Sequence, residues 1–97
     1  MGYRLVARNW RCSLGELDLV LVRDRTLVFC EVKTRRGTAL GAPYEAVGWR
    51  KQRKLQRLAE AFLAVSPLVP AEVRFDVASV SADGAGRLSV YVFEAAF

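Results

Sequence analysis

Two apolar runs, residues 17–22 and 27–33, constrain the fold of this chain more than any other feature. They are rich in Leu and Val, and the four polar residues 23–26 separate them. Aliphatic and β-branched runs joined by a short polar turn are typical of two antiparallel strands. The sequence therefore predicts a β-hairpin.

Ionised side chains stand at the end of this hairpin that is opposite the turn. If residues 18–22 pair back along residues 27–31, Asp18 reaches the same end as Glu31 and Lys33. A buried charge is unfavourable unless it is paired or binds a metal ion. Two interpretations follow. One is a salt bridge from Lys33 to a carboxylate, and the other is a site for Mg²⁺ or Mn²⁺, which prefer carboxylate oxygens.

The remaining segments predict an α/β fold. The expected elements are strands at residues 3–10, 73–80 and 88–93 and a helix at 44–65. Because a helix connects them, strand 73–80 is expected to run parallel to strand 27–33. We therefore expect a mixed sheet of about five strands, formed by a three-stranded antiparallel meander, a crossover helix, a parallel strand and a final hairpin strand.

Two polar residues, Lys51 and Gln52, interrupt the apolar stripe of the predicted helix. The stripe comprises Val47, Leu55, Leu58, Ala59, Phe62 and Leu63. The helix follows the strand of Glu31 and returns along the sheet, so its first turns are expected over that charged end. Lys51 and Gln52 are therefore candidates for the site. The alternative is a lysine whose stem lies on apolar surface while its ammonium stays in water.

Positive charge is concentrated in the first part of the chain. The net charge is +5, and residues 1–57 hold 13 of the 15 Lys and Arg but only five of the ten acids. A polyanion such as nucleic acid is the natural partner of such a surface, although solubility alone explains many basic domains. The candidate phosphate ligands are Arg8, Arg11, Arg35, Arg36, Arg50, Arg53, Lys54 and Arg57.

Several other classes of function are excluded or disfavoured by composition. With no histidine and with Cys12 and Cys30 at no metal-ligand spacing, a zinc site or a histidine-based mechanism is ruled out. Cys30 is expected to be a packed core thiol. The length of 97 residues predicts one domain over residues 1–97. No apolar run of 18 residues and no signal peptide are found, so we expect no membrane partner and a cytoplasmic location.

Two further expectations concern the second half of the chain. Arg74 and Asp76 share one face of their strand and are interpreted as a structural pair. The strand at 88–93 carries no charge and no proline, so it is expected to lie at an edge of the sheet. An uncharged edge strand invites pairing with another chain, and a homodimer is one possible consequence.

Longer sequence runs add a family resemblance to these inferences. The chain is similar to the YraN-like family of bacterial proteins, which has the restriction-endonuclease-like fold of the PD-(D/E)XK nucleases. The segments that carry this resemblance are GYRLVARNWRC, GELDLV, LVFCEVKTR, GAPYEAV, KQRKLQRLA, RFDV and the closing AF. The family usually has a helix before the first strand, carrying a Glu that can join the site, whereas this sequence begins at Met1 without it.

The resemblance implies roles for the charged residues. Asp18 matches the metal-binding Asp, and Glu31-Val32-Lys33 matches the (D/E)XK element. Asp18, Glu31 and the Val32 carbonyl would then hold Mg²⁺ or Mn²⁺, Lys33 would orient the attacking water, and Lys51 or Gln52 would supply a polar group from the helix. The expected function is a metal-dependent endonuclease or DNA-processing hydrolase, with DNA favoured over RNA. The alternative is a non-catalytic nucleic-acid-binding module with a degenerate nuclease fold.

Overall fold

A five-stranded mixed sheet carrying one helix forms the described part of the chain. The computed structural model describes residues 2–36 and 48–97. The elements are β1 (Arg4–Cys12), β2 (Gly15–Arg23), β3 (Thr26–Arg36), α1 (Trp49–Val65), β4 (Glu72–Ala82) and β5 (Leu88–Phe93). The strands lie side by side in chain order, and only the β3–β4 pair is parallel. This is the predicted topology, and it agrees with a restriction-endonuclease-like fold.

The β2–β3 hairpin has the register that the sequence predicts. Its pairs are Arg23 with Thr26, Val22 with Leu27, Leu21 with Val28, Val20 with Phe29 and Leu19 with Cys30. In the two-residue turn, Asp24 has a φ of 54°, a conformation that Asp tolerates because its short polar side chain can form local hydrogen bonds. The tight turn fixes the register. Asp18 and Glu31 consequently follow directly after the last of these pairs.

The hydrophobic core lies between α1 and the facing side of the sheet. The buried residues of α1 are Leu55, Leu58, Ala59 and Phe62, all members of the predicted stripe. The Phe62 ring stands edge-on to the rings of Trp10 and Phe29, at centroid distances of 5.3 and 5.9 Å. Complete burial of a large apolar side chain stabilises a fold by about 1.5–3 kcal/mol. These contacts therefore fix α1 on the sheet, with its first turn over the end that carries Glu31.

The helix α1 begins later than the sequence analysis predicts. Gly48 is the N-cap and has an extended backbone, with φ −63° and ψ 155°. Glycine inside a helix is less favourable than alanine by about 1 kcal/mol, which favours a boundary at this position. The prediction of a helix running through Gly48 is therefore wrong, and its residues 44–47 lie outside the described part of the chain. No helix in the described ranges is both long and apolar enough to cross a membrane.

The strand β5 forms one edge of the described sheet, as predicted. Four of its apolar side chains are more than half exposed: Leu88, Val90, Tyr91 and Val92. The other edge is β1, which carries arginines. The edge position of β5 is thus confirmed, whereas its use in a homodimer stays a prediction.

The pair Arg74–Asp76 ties both chain ends to β4. Asp76 is buried, and Arg74 donates to it through Nε and Nη2, both at 2.9 Å. Arg74 Nη2 also donates to the Tyr3 hydroxyl at 2.7 Å, and the Ala95 amide donates to Asp76 Oδ1 at 3.0 Å. The bond to Asp76, followed by that to Tyr3, raises the pKa of Arg74. The pair is therefore structural, in agreement with the sequence analysis.

Removal of Arg74 is expected to destabilise the fold strongly. In Arg74→Ala the Asp76 carboxylate stays buried without its cation, which costs about 3 kcal/mol. Urea unfolding measures this difference. The control is Arg11→Ala, which breaks the exposed pair of Arg11 with Glu16 and should leave the unfolding midpoint almost unchanged. Equal midpoints for the two variants would contradict the structural role of Arg74.

Candidate metal centre

Two carboxylates, those of Asp18 and Glu31, meet at the end of the hairpin. One further step in the observed register sets Asp18 opposite Glu31. Both side chains line the same small cavity, and its other walls include Leu17, Phe29 and Leu55. The structure therefore brings together the two acidic residues that the sequence analysis selected, next to the apolar core.

The strand β2 departs from strict alternation beside Asp18. Leu17 and Val20 are three residues apart, yet both are buried in the core. On β1, the residue opposite Asp18 is Asn9, whose φ is 51°. A positive φ inside a strand marks a local kink. At this kink, Asp18 lines both the cavity of Glu31 and a surface depression that Arg8 also lines.

A backbone hydrogen bond holds the Asp18 carboxylate in place. The Val32 amide donates to Asp18 Oδ2 over 2.8 Å. This amide belongs to the peptide that joins Glu31 to Val32, so the Asp18 carboxylate lies directly beside the segment that carries the second carboxylate. The bond fixes one oxygen of the Asp18 carboxylate next to the strand that carries Glu31.

Glu31 forms an ion pair with Lys51 from the first turns of α1. The distance from Lys51 Nζ to Glu31 Oε1 is 3.1 Å, and the Glu31 side chain is only 15% exposed. A carboxylate with so little access to water needs a nearby positive charge. Lys51 provides it from the position in the apolar stripe that the sequence analysis noted. A divalent cation at Glu31 must therefore bind the second carboxylate oxygen or displace Lys51.

Lys33 and Gln52 lie beside these charges. Lys33 is half-buried and in register with Ser79 of β4. The predicted salt bridge between Lys33 and a carboxylate is not formed among the described residues, because Glu31 pairs with Lys51 instead. Gln52 is half-buried and follows Lys51 on α1. Its backbone N–H donates to the Gly48 carbonyl at 2.9 Å, as part of the first turn of the helix.

The oxygen donors at this end of the hairpin are of the kind that a hard divalent cation prefers. Within residues 2–36 and 48–97 no three His, Cys, Asp or Glu side chains gather as a metal site. Asp76 lines the same cavity but is held by Arg74, and burial, followed by the charge of Asp76, raises the pKa of the Cys30 thiol to about 11. Two carboxylates and the Val32 carbonyl remain. Mg²⁺ typically binds through one or two carboxylates and completes its shell with water and phosphate oxygens.

The arginines predicted on β1 and at the end of β3 have different surroundings. Arg8 is exposed and lies at the depression beside Asp18. Arg11 is exposed and pairs with Glu16 at 2.6 Å, and this hydrogen bond raises the pKa of Arg11. The side chains of Arg35 and Arg36 lie outside the described part of the structure.

The four cations predicted on α1 lie together on its exposed face. They line a groove of about 530 Å³, which we call the basic groove. Its lining residues are Leu14, Trp49, Arg50, Arg53, Lys54 and Arg57. Trp49 and Leu14 were not predicted from the sequence. Gly48 could have indicated Trp49, because glycine disfavours the helix interior and a helix that begins after Gly48 has Trp49 as its first residue, among basic residues.

Comparison with known proteins places the chain in a bacterial family. Residues 1–80 match the "Uncharacterised protein family UPF0102". The UPF0102 protein of Frankia alni is 50% identical over 96 residues, which cover 99% of this chain and 80% of that protein. The UPF0102 proteins of Symbiobacterium thermophilum and Moorella thermoacetica are 48% and 42% identical, over 99% of this chain and 81% of each relative. As its resemblance to the YraN-like proteins predicted, the chain belongs to the UPF0102 family.

Proposed function

We propose that this protein is a metal-dependent nuclease of the PD-(D/E)XK type, which hydrolyses nucleic-acid phosphodiesters with Mg²⁺ or Mn²⁺. The observation that carries the proposal is the shared cavity of Asp18 and Glu31, with Lys51 on Glu31 and Lys33 two residues further along β3. Two carboxylates, with one lysine paired to Glu31 and a second lysine close by in sequence, match the needs of a reaction at a phosphate. DNA is the favoured substrate.

Each residue of the centre has its own role in the proposed hydrolysis. Asp18, Glu31 and the Val32 carbonyl are the groups that would hold the ion, and a bound ion polarises the phosphate and lowers the pKa of a water ligand. Lys33 orients the attacking water and offsets negative charge that develops on the phosphate oxygens. Lys51 positions Glu31 and, with the neighbouring Gln52, adds polar groups from α1. The reaction needs no histidine, which agrees with the composition.

The surface charge supports a phosphate-bearing substrate. Arg8 borders the depression that reaches Asp18, and four cations line the basic groove on α1. Such clusters attract polyanions and raise their local concentration. No base-reading motif accompanies them, so binding is expected to depend on phosphates and therefore to weaken with salt.

One observation favours the alternative, a nucleic-acid-binding module without catalysis. Lys51 Nζ lies 3.1 Å from Glu31 Oε1 and offsets the charge of this carboxylate. A carboxylate that is paired with a lysine has less need of a metal ion. The basic groove and the fold would be the same under both proposals, so the two differ only in what the Asp18–Glu31 cavity binds.

Substitution of Asp18 is expected to abolish a metal-dependent cleavage. With labelled single-stranded and duplex DNA and RNA as substrates, the wild type should cleave in Mg²⁺ or Mn²⁺ and not in EDTA. Asp18→Asn keeps an oxygen that accepts the hydrogen bond from the Val32 amide but removes the negative charge. The rate of cleavage should therefore fall by at least about 100-fold. Gel electrophoresis of the products measures it.

Asp24→Asn is the matched control for this experiment. Asp24 is an exposed carboxylate in the turn of the same hairpin, and Asn also tolerates its positive φ. Its cleavage rate should equal that of the wild type. Cleavage that survives Asp18→Asn, or that falls equally in Asp24→Asn, excludes the proposed centre. No cleavage by the wild type under any condition would favour the binding module.

Removal of the Lys51 charge is expected to make the fold respond to divalent cations. In Lys51→Met the Glu31 carboxylate keeps its low exposure but loses its partner, so Mn²⁺ should raise the melting temperature more than in the wild type. Lys54→Met, one turn further along α1 on the exposed face, should behave like the wild type. If Mn²⁺ raises the melting temperature of Lys51→Met no more than that of Lys54→Met, then Glu31 does not bind a divalent cation and its pair with Lys51 is structural.

A further inference from the structure

The basic groove combines an exposed aromatic ring with cations. Trp49 is 63% exposed, and the guanidinium groups of Arg50 and Arg53 lie 5.8 and 5.9 Å from its ring centroid. These distances are typical of cation–π contacts. A tryptophan that is this exposed at the start of a helix contributes little to the core, and more than half of its surface is accessible to a ligand.

The opposite wall of the groove is formed by the turn between β1 and β2. Gly15, the first residue of β2 directly after this turn, has a φ of 143°, and a Cβ atom there would lie 3.1 Å from Lys54 Cε. This start of β2 therefore lies against the side chain of Lys54. Leu14 beside it is 46% exposed and lines the groove with Trp49. Leu14 and Trp49 are thus the two apolar members of an otherwise basic lining.

The charges of the groove indicate which kind of ligand it can bind. Its lining includes four cationic side chains and no carboxylate among the described residues. A ligand that matches this surface carries several negative charges and flat apolar faces. An unpaired nucleic-acid strand has both, because its bases are exposed for stacking while its phosphates repeat along the backbone. A duplex keeps its bases stacked inside, and an acidic peptide has no flat rings.

We propose that the basic groove binds single-stranded nucleic acid, with one base stacked on Trp49 and the neighbouring phosphates bound by Arg53, Lys54 and Arg57. The proposal rests on the nucleic-acid binding included in the proposed function, and it names the substrate as one with an unpaired segment. Lys54 follows Lys51 by three residues, about 60° around α1 and about 4.5 Å along its axis. The groove therefore adjoins the Asp18–Glu31 centre, and a strand bound in it would continue toward that centre.

The test measures binding without cleavage. The affinity of the full chain for a fluorescent single-stranded oligonucleotide is followed by anisotropy in EDTA at two or more salt concentrations. Trp49→Ala should weaken binding roughly 5- to 100-fold without changing the slope of affinity against salt, because the indole carries no charge. Trp49→Phe should keep most of the affinity. Arg57→Ala should instead reduce the slope by about 0.7.

Tyr91→Ala is the matched control, since Tyr91 is an aromatic residue of similar exposure, 58%, on the distant strand β5. Its affinity should equal that of the wild type. A blunt duplex should bind more weakly than the single strand, and poly-glutamate should not displace the oligonucleotide. Equal affinities of Trp49→Ala and Tyr91→Ala overturn the proposal, as does a duplex that binds as tightly as the single strand. Displacement by poly-glutamate would also overturn it and would assign the groove to an acidic protein.

The outcomes of this test are separable from those of the cleavage assay. If Trp49→Ala weakens binding but no variant cleaves nucleic acid, the proposal of strand binding in the basic groove stands and the proposal of a nuclease fails. Cleavage that depends on Asp18 but not on Trp49 retains the nuclease and excludes a strand in the groove.

Discussion

The pairing register of β2 and β3 determines where every charge of the candidate centre lies. The two-residue turn sets Arg23 opposite Thr26, and the pairs that follow bring Asp18 level with Glu31. A slip by one residue would move one of the carboxylates to the other face of the sheet. The bond from the Val32 amide to Asp18 Oδ2, at 2.8 Å, fixes this register at the far end of the hairpin.

The core holds α1 over the end of the hairpin that carries Asp18 and Glu31, and this explains why Glu31 is largely buried and paired with Lys51. Leu55, Leu58 and Phe62 anchor the helix on the sheet, so Lys51 at its start reaches the carboxylate that the helix shields from water. Burial and charge are therefore coupled. The apolar stripe that stabilises the fold also creates the need for a positive charge at Glu31, and Lys51 provides that charge.

Most of the fold could be predicted from sequence because its signals are local. Alternation and the polar turn predict the hairpin, and the helix between β3 and β4 makes those two strands parallel. The start of α1 at Trp49 was missed because Pro43, a residue type that is common in the first turn of a helix, favoured a start at residue 44. The only salt bridge considered from the sequence was from Lys33 to a carboxylate, whereas Glu31 pairs with Lys51, because the pairing depends on how far each side chain reaches in three dimensions. The basic groove could not be predicted, because Leu14 and Trp49 are 35 residues apart and line the same groove only in the folded chain.

The central claim is that Asp18 and Glu31 together bind one divalent cation. Crystals of the wild type soaked in Mn²⁺ and measured near the manganese absorption edge test it most directly. We predict one anomalous peak beside both carboxylates and the Val32 carbonyl, which is absent from crystals of Glu31→Gln treated in the same way. A soaked crystal with no peak there, and with Lys51 still on Glu31, would contradict the account.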